Sequence, residues 1–280
     1  MALHTLLIHL NDRRRAARLV TGACAMAGGD DVTVVGLHVY SAMPPVAPVV
    51  IPYGDDVIAA IVAAESREAD AIEKAFREGA AGRGEHAQWL CERAEGPDLA
   101  AHVMHRARGA DLVVASAADP DWEMAPVLDF PERLAIETGR PVLLIPNVGA
   151  VPTAAPSHAV VAWNGSREAA RAGFDMLALF DRLQRVTILV IDGEEADEII
   201  FASAGRFAET TRRYGLAADV VAKPASGRSV GAAVSAEAVA LGADMLVMGA
   251  YGHSRFRELV FGGATRYMTH HMVLPTLLSH

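Results

Sequence analysis

Short unbroken apolar runs alternate with longer amphipathic stretches along the whole chain. In the second half, residues 159–163, 186–191, 218–222, 244–249 and 273–279 read as strands. Between them, 166–183, 195–214, 229–241 and 263–271 show helical spacing of apolar positions. Apolar runs of five or six residues without alternation fit strands covered on both faces, as in a parallel sheet. Strict alternation of strand and helix predicts a doubly wound α/β fold. In such sheets ligands lie beyond the carboxyl ends of the strands, where strand order reverses.

The pattern also repeats. Leu7-Ile8-His9-Leu10-Asn11, followed by Arg15-Ala16-Ala17-Arg18, returns as Val160-Val161-Ala162-Trp163-Asn164 followed by Glu168-Ala169-Ala170-Arg171, an offset of 153 (164 − 11). Gly109-Ala110-Asp111-Leu112-Val113-Val114 returns as Gly242-Ala243-Asp244-Met245-Leu246-Val247, an offset of 133 (242 − 109). The difference of 20 (153 − 133) places extra residues in the first half, and the Pro-rich stretch 42–53 is the candidate insert. Two copies of one unit are predicted, 1–147 and 157–280, joined where Gly149, Pro152 and Pro156 read as a linker. Each should be a five-stranded, Rossmann-like parallel sheet, the two related by a pseudo-twofold with strands 142–145 and 276–279 near the contact.

Composition narrows the class. The length of 280 residues suits about two domains, and 52% hydrophobic with 21% charged residues excludes a disordered chain. A net charge of −9 (25 − 34) argues against a surface that grips nucleic acid. Two cysteines exclude a disulfide framework and point to a reducing compartment. The N-terminus lacks signal-peptide features, and no apolar run reaches the roughly 18–20 residues that span a bilayer. A soluble, cytoplasmic protein is expected.

The densest chemistry follows the fourth strand of the second copy. There Gly249, Gly252, Gly262 and Gly263, then Ala264 and Thr265, form G-x2-G-x9-G-G-A-T. Glycines permit φ > 0 and close approach of backbone to a ligand. The helix opened by Gly262 and Gly263 offers free N–H groups to an anion. Thr265 can add a hydroxyl, with His253, Ser254, Arg255 and Arg257 nearby.

This motif, with the duplicated strand-alternating unit, resembles the universal stress protein family, and the chain is identified as a tandem member. The resemblance implies a stress-response protein that binds ATP, with Mg²⁺ as its companion ion, in the second unit. The motif glycines and residues 253–255 and 263–265 would surround the phosphates. The loop Asn164-Gly165-Ser166 would face the adenosine, and Val190-Ile191 would line the adenine. Two positions depart from the family: Gly263 stands where Ser is usual, and Asn164 where Asp is usual. The first copy has Ser116, Asp119, Asp129 and Phe130 at the motif positions, so no nucleotide is expected there. An intramolecular pseudo-dimer that could pair with a second copy is implied. So is a regulatory role, with a slow ATPase or a nucleotide-free scaffold as the alternatives.

Other signals are weaker. Gly227-Arg228-Ser229-Val230-Gly231 matches G-x-S-x-G, but Ser229 reads as a helix N-cap. His102 and His105 lack further metal ligands, so no metal site and no catalytic residue is assigned. Arg13-Arg14-Arg15 reads as a solvated helix face, and Cys24 and Cys91 as buried apolar fillers.

Overall fold

The structure is a computed structural model. It describes all residues except 1–2, 42–53, 95–97, 120, 123, 125–127, 193–197 and 251–262. The Pro-rich insert thus lies outside the described residues.

The first half runs β1 Thr5–His9, α1 Arg13–Ala27, β2 Thr33–Ser41, α2 Asp55–Gly79, a 3₁₀ segment Ala81–His86, β3 Ala87–Ala94, α3 Leu99–Ala107, β4 Leu112–Ser116, α4 Pro131–Glu137 and β5 Val142–Ile145. The second runs β6 His158–Ala162, α5 Arg167–Leu179, β7 Arg185–Asp192, α6 Glu198–Arg213, β8 Ala217–Pro224, α7 Val230–Ala240, β9 Met245–Gly249, α8 Gly263–His271 and β10 Thr276–Ser279. The strands form one sheet in the order β3-β2-β1-β4-β5-β10-β9-β6-β7-β8. Every pairing is parallel except the central one, where β5 and β10 run antiparallel with Thr276 opposite Leu144, Leu277 opposite Leu143 and Leu278 opposite Val142. A pseudo-twofold through Leu143 and Leu277 relates the two halves, and their last strands make the seam.

Two apolar layers cover the sheet. One holds Leu6, Ile8, Val161 and Ile188 against α1, α2, α5 and α6. The other holds Leu7, Val113, Val160 and Leu246 against α3, α4, α7 and α8. Each layer crosses the seam without a break, so the halves share both cores. Helix starts are capped as their residues suggest: Asp12 accepts from the N–H of Arg14, Ser166 from Ala169 and Ser229 from Ala232. Ser229 is therefore a cap, and Gly231 of the same motif lets α7 approach α8, since a Cβ there would lie 2.8 Å from Tyr267 Cβ.

Three expectations need correction. The helix expected over 166–183 ends at Leu179, because Phe180 leaves helical angles (φ −116°, ψ 90°) and turns with Leu183 into the core. Cys91 is exposed and Cys24 only half-buried, so neither is a buried filler. Arg15 is no part of a solvated face; it is buried and ion-paired.

The repeated Gly-Ala-Asp has a structural cause. Asp111 Oδ2 accepts the N–H groups of His4 and Thr5 at 3.0 and 2.9 Å. Asp244 Oδ2 accepts those of Ser157 and His158 at 2.8 and 2.9 Å, and the Ser157 hydroxyl at 2.7 Å. Each aspartate ties the start of its unit's first strand to the start of the fourth. Burial works against the Asp244 carboxylate, but these hydrogen bonds outweigh it and hold its pKa below the ordinary 3.8. A lowered carboxylate pKa contributes stability above the unfolded value and loses it as pH falls through the folded one. Asp244→Ala should therefore cost about 1 kcal/mol at neutral pH. Its melting temperature should converge on the wild-type value as pH falls below the ordinary carboxylate range, as a scanning-calorimetry pH series would record.

Candidate functional site

Strand order reverses between β6 and β9, and a cleft opens there at the carboxyl ends of the strands. The space in it that water could occupy is about 90 Å³, and it opens to solvent. Its walls are apolar: Trp163 and Ala162 from the end of β6, Leu189 and Ile191 from β7, and Met248 from β9. Val230 and Val234 of α7 close another side. Leu189 and Ile191 face the cleft because alternate β7 residues share a face, and Val190 accordingly points into the opposite core.

The loop after β6 is a preformed turn. Asn164 Oδ1 accepts the Ser166 N–H at 3.1 Å, Gly165 takes φ +74°, and Ser166 caps α5. Asn164 and Ser166 both line the cleft. Gly249 does not take the positive φ expected of it. A Cβ there would lie 2.6 Å from Ala169 N and from Glu168 C, so the missing side chain lets α5 close onto β9. Gly249 nonetheless lines the cleft floor, and Ala264 its far edge. Gly263 opens α8 and is exposed, whereas Thr265 is buried on the core-facing stripe with Met268, Thr269 and Met272. Gly252, His253, Ser254, Arg255 and Gly262 lie outside the described residues.

Two cations stand beside the cleft among the described residues. Lys223, in register with Ile191, and Arg228, just before α7, share the single carboxylate of Glu237 at 3.9 and 3.1 Å. The wall residues Trp163, Leu189, Val230, Val234 and Met248 were not singled out in the sequence. Trp163 carried the one available signal, its place beside Asn164 at the end of a predicted strand. Its Nε1–H donates to Ser203 Oγ at 2.8 Å and its ring stacks on Phe207 at 4.8 Å, which fixes the wall. Among the described residues no cluster could hold a metal ion, and no helix is long and apolar enough to cross a membrane.

The corresponding place in the first half is filled by the chain itself. Phe130 stacks on His9 with ring centroids 4.9 Å apart. Arg15 donates through Nη1 to Asp129 Oδ2 at 3.2 Å and through Nη2 to Asn11 Oδ1 at 3.2 Å. The Trp122 ring lies 4.6 Å from the Arg15 guanidinium carbon. Burial, with the nearby His38 and Arg15, pushes the His9 pKa down to about 3, so this imidazole is neutral at physiological pH.

No family model and no curated protein matches the sequence. Solved structures do. A universal stress protein from Archaeoglobus fulgidus superposes with a TM-score of 0.64 at 12% identity, over 98% of this chain and 95% of that one. A functionally unknown protein from Pseudomonas aeruginosa aligns over 99% and 92% of the two chains at 13% identity, with a TM-score of 0.47. A protein of the universal stress protein family from Burkholderia pseudomallei, 20% identical, covers 51% of this chain and 96% of its own, with a TM-score of 0.35. By the first of these likenesses, which runs almost end to end through both chains, this polypeptide has the tandem fold of a universal stress protein.

Proposed function

We propose that this chain is a cytoplasmic stress-response protein of the universal stress protein family, regulated by an adenine nucleotide, ATP in the first place, bound in its second half. The observation that carries the reading is the asymmetry of the two halves: among the described residues one has an apolar-walled cleft at the strand reversal, and its counterpart is filled by Phe130 and Asp129. Leu189, Ile191 and Val230 offer flat apolar walls to a base. Asn164 and Ser166 stand where a ribose would lie. The exposed N-terminus of α8, opened by Gly263, would offer backbone N–H groups to phosphates, with Lys223 and Arg228 adding positive potential.

A nucleotide-free scaffold is the second reading. It is favoured by Thr265, turned into the core, and by Asn164, whose carbonyl oxygen is spent on its own turn. Mass spectrometry of the denatured, freshly purified protein decides between them, together with calorimetric titration of ATP. The expected result is one adenine nucleotide per chain, lost in Gly262→Asp. Absence of co-purified nucleotide together with no binding at millimolar ATP would give the scaffold reading the lead.

A further inference from the structure

The plug in the first half has the layout of a ligand. At the offset of 133, Asp129 stands where the second half has Gly262, Phe130 where it has Gly263, and Asp119 where it has Gly252. At the offset of 153, His9 corresponds to Ala162 and Asn11 to Asn164, both of which line the open cleft. The Asp129 carboxylate accepts two hydrogen bonds through Oδ2, from the backbone N–H of Asp119 at 2.8 Å and from Arg15 Nη1 at 3.2 Å. A backbone amide at a motif position and a buried guanidinium are the donors an external anion would use. The ring of the next residue, Phe130, covers His9 on the apolar side. Arg15 is 8% exposed, and its Nε, buried with no hydrogen-bond partner among the described residues, faces Asp12 Oδ2 at 3.7 Å. The second half is built the opposite way, with Glu168 in the place of Arg15 (15 + 153).

We propose that the first half is a self-liganded anion site, in which the Asp129 carboxylate and the Phe130 ring occupy the place of an aromatic carboxylate. The site is formed, with Arg15 set between the carboxylates of Asp12 and Asp129, and the chain itself fills it. Its chemistry differs from that of the second half because its anion is held by an arginine side chain and not by glycine backbone alone. This holds whether or not the second half binds a nucleotide, because the donors and the ring are in place without one.

The test removes the internal ligand and supplies an external one. In full-length Asp129→Gly/Phe130→Gly, sodium benzoate should raise the melting temperature saturably, against sodium chloride at equal ionic strength. For a site of about 1 mM affinity, about 20 mM benzoate should give a rise of about 4–7 °C. Acetate, which fills only the anion position, should give less, and the wild type should not respond. In Asp129→Ala, where Phe130 remains, acetate should rescue and benzoate should do no better. If either variant is recovered poorly, its refolding yield from urea into each salt gives the same comparison. Equal responses of wild type and double variant, or no advantage of benzoate over acetate in the double variant, would overturn the proposal.

Discussion

Arg15→Met should destabilise the chain by about 3–5 kcal/mol, because it strands the buried Asp129 carboxylate without its cation. The side chains of Arg15 and Asp129 are 10% and 3% exposed, so water cannot take over the lost contact. Methionine keeps the aliphatic stem under Trp122 and removes only the charge and its donors. Burial already pushes the Asp129 pKa up, against the pull of Arg15 and the Asp119 N–H. Without Arg15 it rises further. A carboxylate whose folded pKa is raised loses stability as pH rises through that value. The deficit of the variant should therefore be smaller near pH 5 than near pH 8. Urea unfolding at the two pH values measures this. Arg15→Met/Asp129→Leu should recover much of the loss, since removing both charges ends the desolvation cost. A double variant no better than the single one would mean that the pair is worth more than its burial costs.

Gly249→Val should cost about 3 kcal/mol and abolish the ATP binding proposed for the neighbouring cleft. The atoms a Cβ would meet at 2.6 Å are backbone atoms of Glu168 and Ala169, which cannot swing aside as a side-chain tip could. The N-terminal turn of α5 would have to lift from β9, carrying the Asn164–Ser166 turn with it. Gly205→Ala is the matched control. Gly205 lies inside α6 with nothing within 4 Å of a Cβ, so alanine should stabilise by about 0.5–1 kcal/mol. Urea midpoints for both variants, with ATP titrations alongside, separate packing at Gly249 from a general intolerance of added carbon. The first half has Ser116 at the position of Gly249 (249 − 133), so the repeated fold does not itself demand glycine there.

The strand and helix order was legible because a strand buried on both faces leaves an unbroken apolar run. The two repeat offsets then paired the halves strand by strand. The β5–β10 seam followed from symmetry, since a twofold places like strands side by side. Arg15 was misread because helical periodicity treats a run of arginines as a wet face. Its partner Asp129 lies 114 residues away, and no local pattern encodes that pairing. Gly249 was only half legible: a glycine that admits a ligand and one that admits a helix look alike in sequence. Thr265 was more readable than it was read, since Thr265, Met268, Thr269 and Met272 follow the i, i+3, i+4, i+7 spacing of a core-facing stripe. The early end of α5 was hidden because Phe180 and Leu183 satisfy a helix and a buried turn equally well.

The shared seam also bears on synthesis. When β5 leaves the ribosome, all four of its residues are apolar ones that the finished protein buries completely, and although β4 can pair with one edge, the partner of its other edge does not yet exist. That partner, β10, is encoded some 130 residues later (276 − 145 = 131). At roughly 5–20 residues per second, the nascent first half carries a central strand with one open edge for about 7–26 s. An open apolar strand edge is the surface on which neighbouring nascent chains pair wrongly. The fusion of two like units into one polypeptide thus creates an interval in which the first copy needs a chaperone, or fast translation, until its second copy arrives.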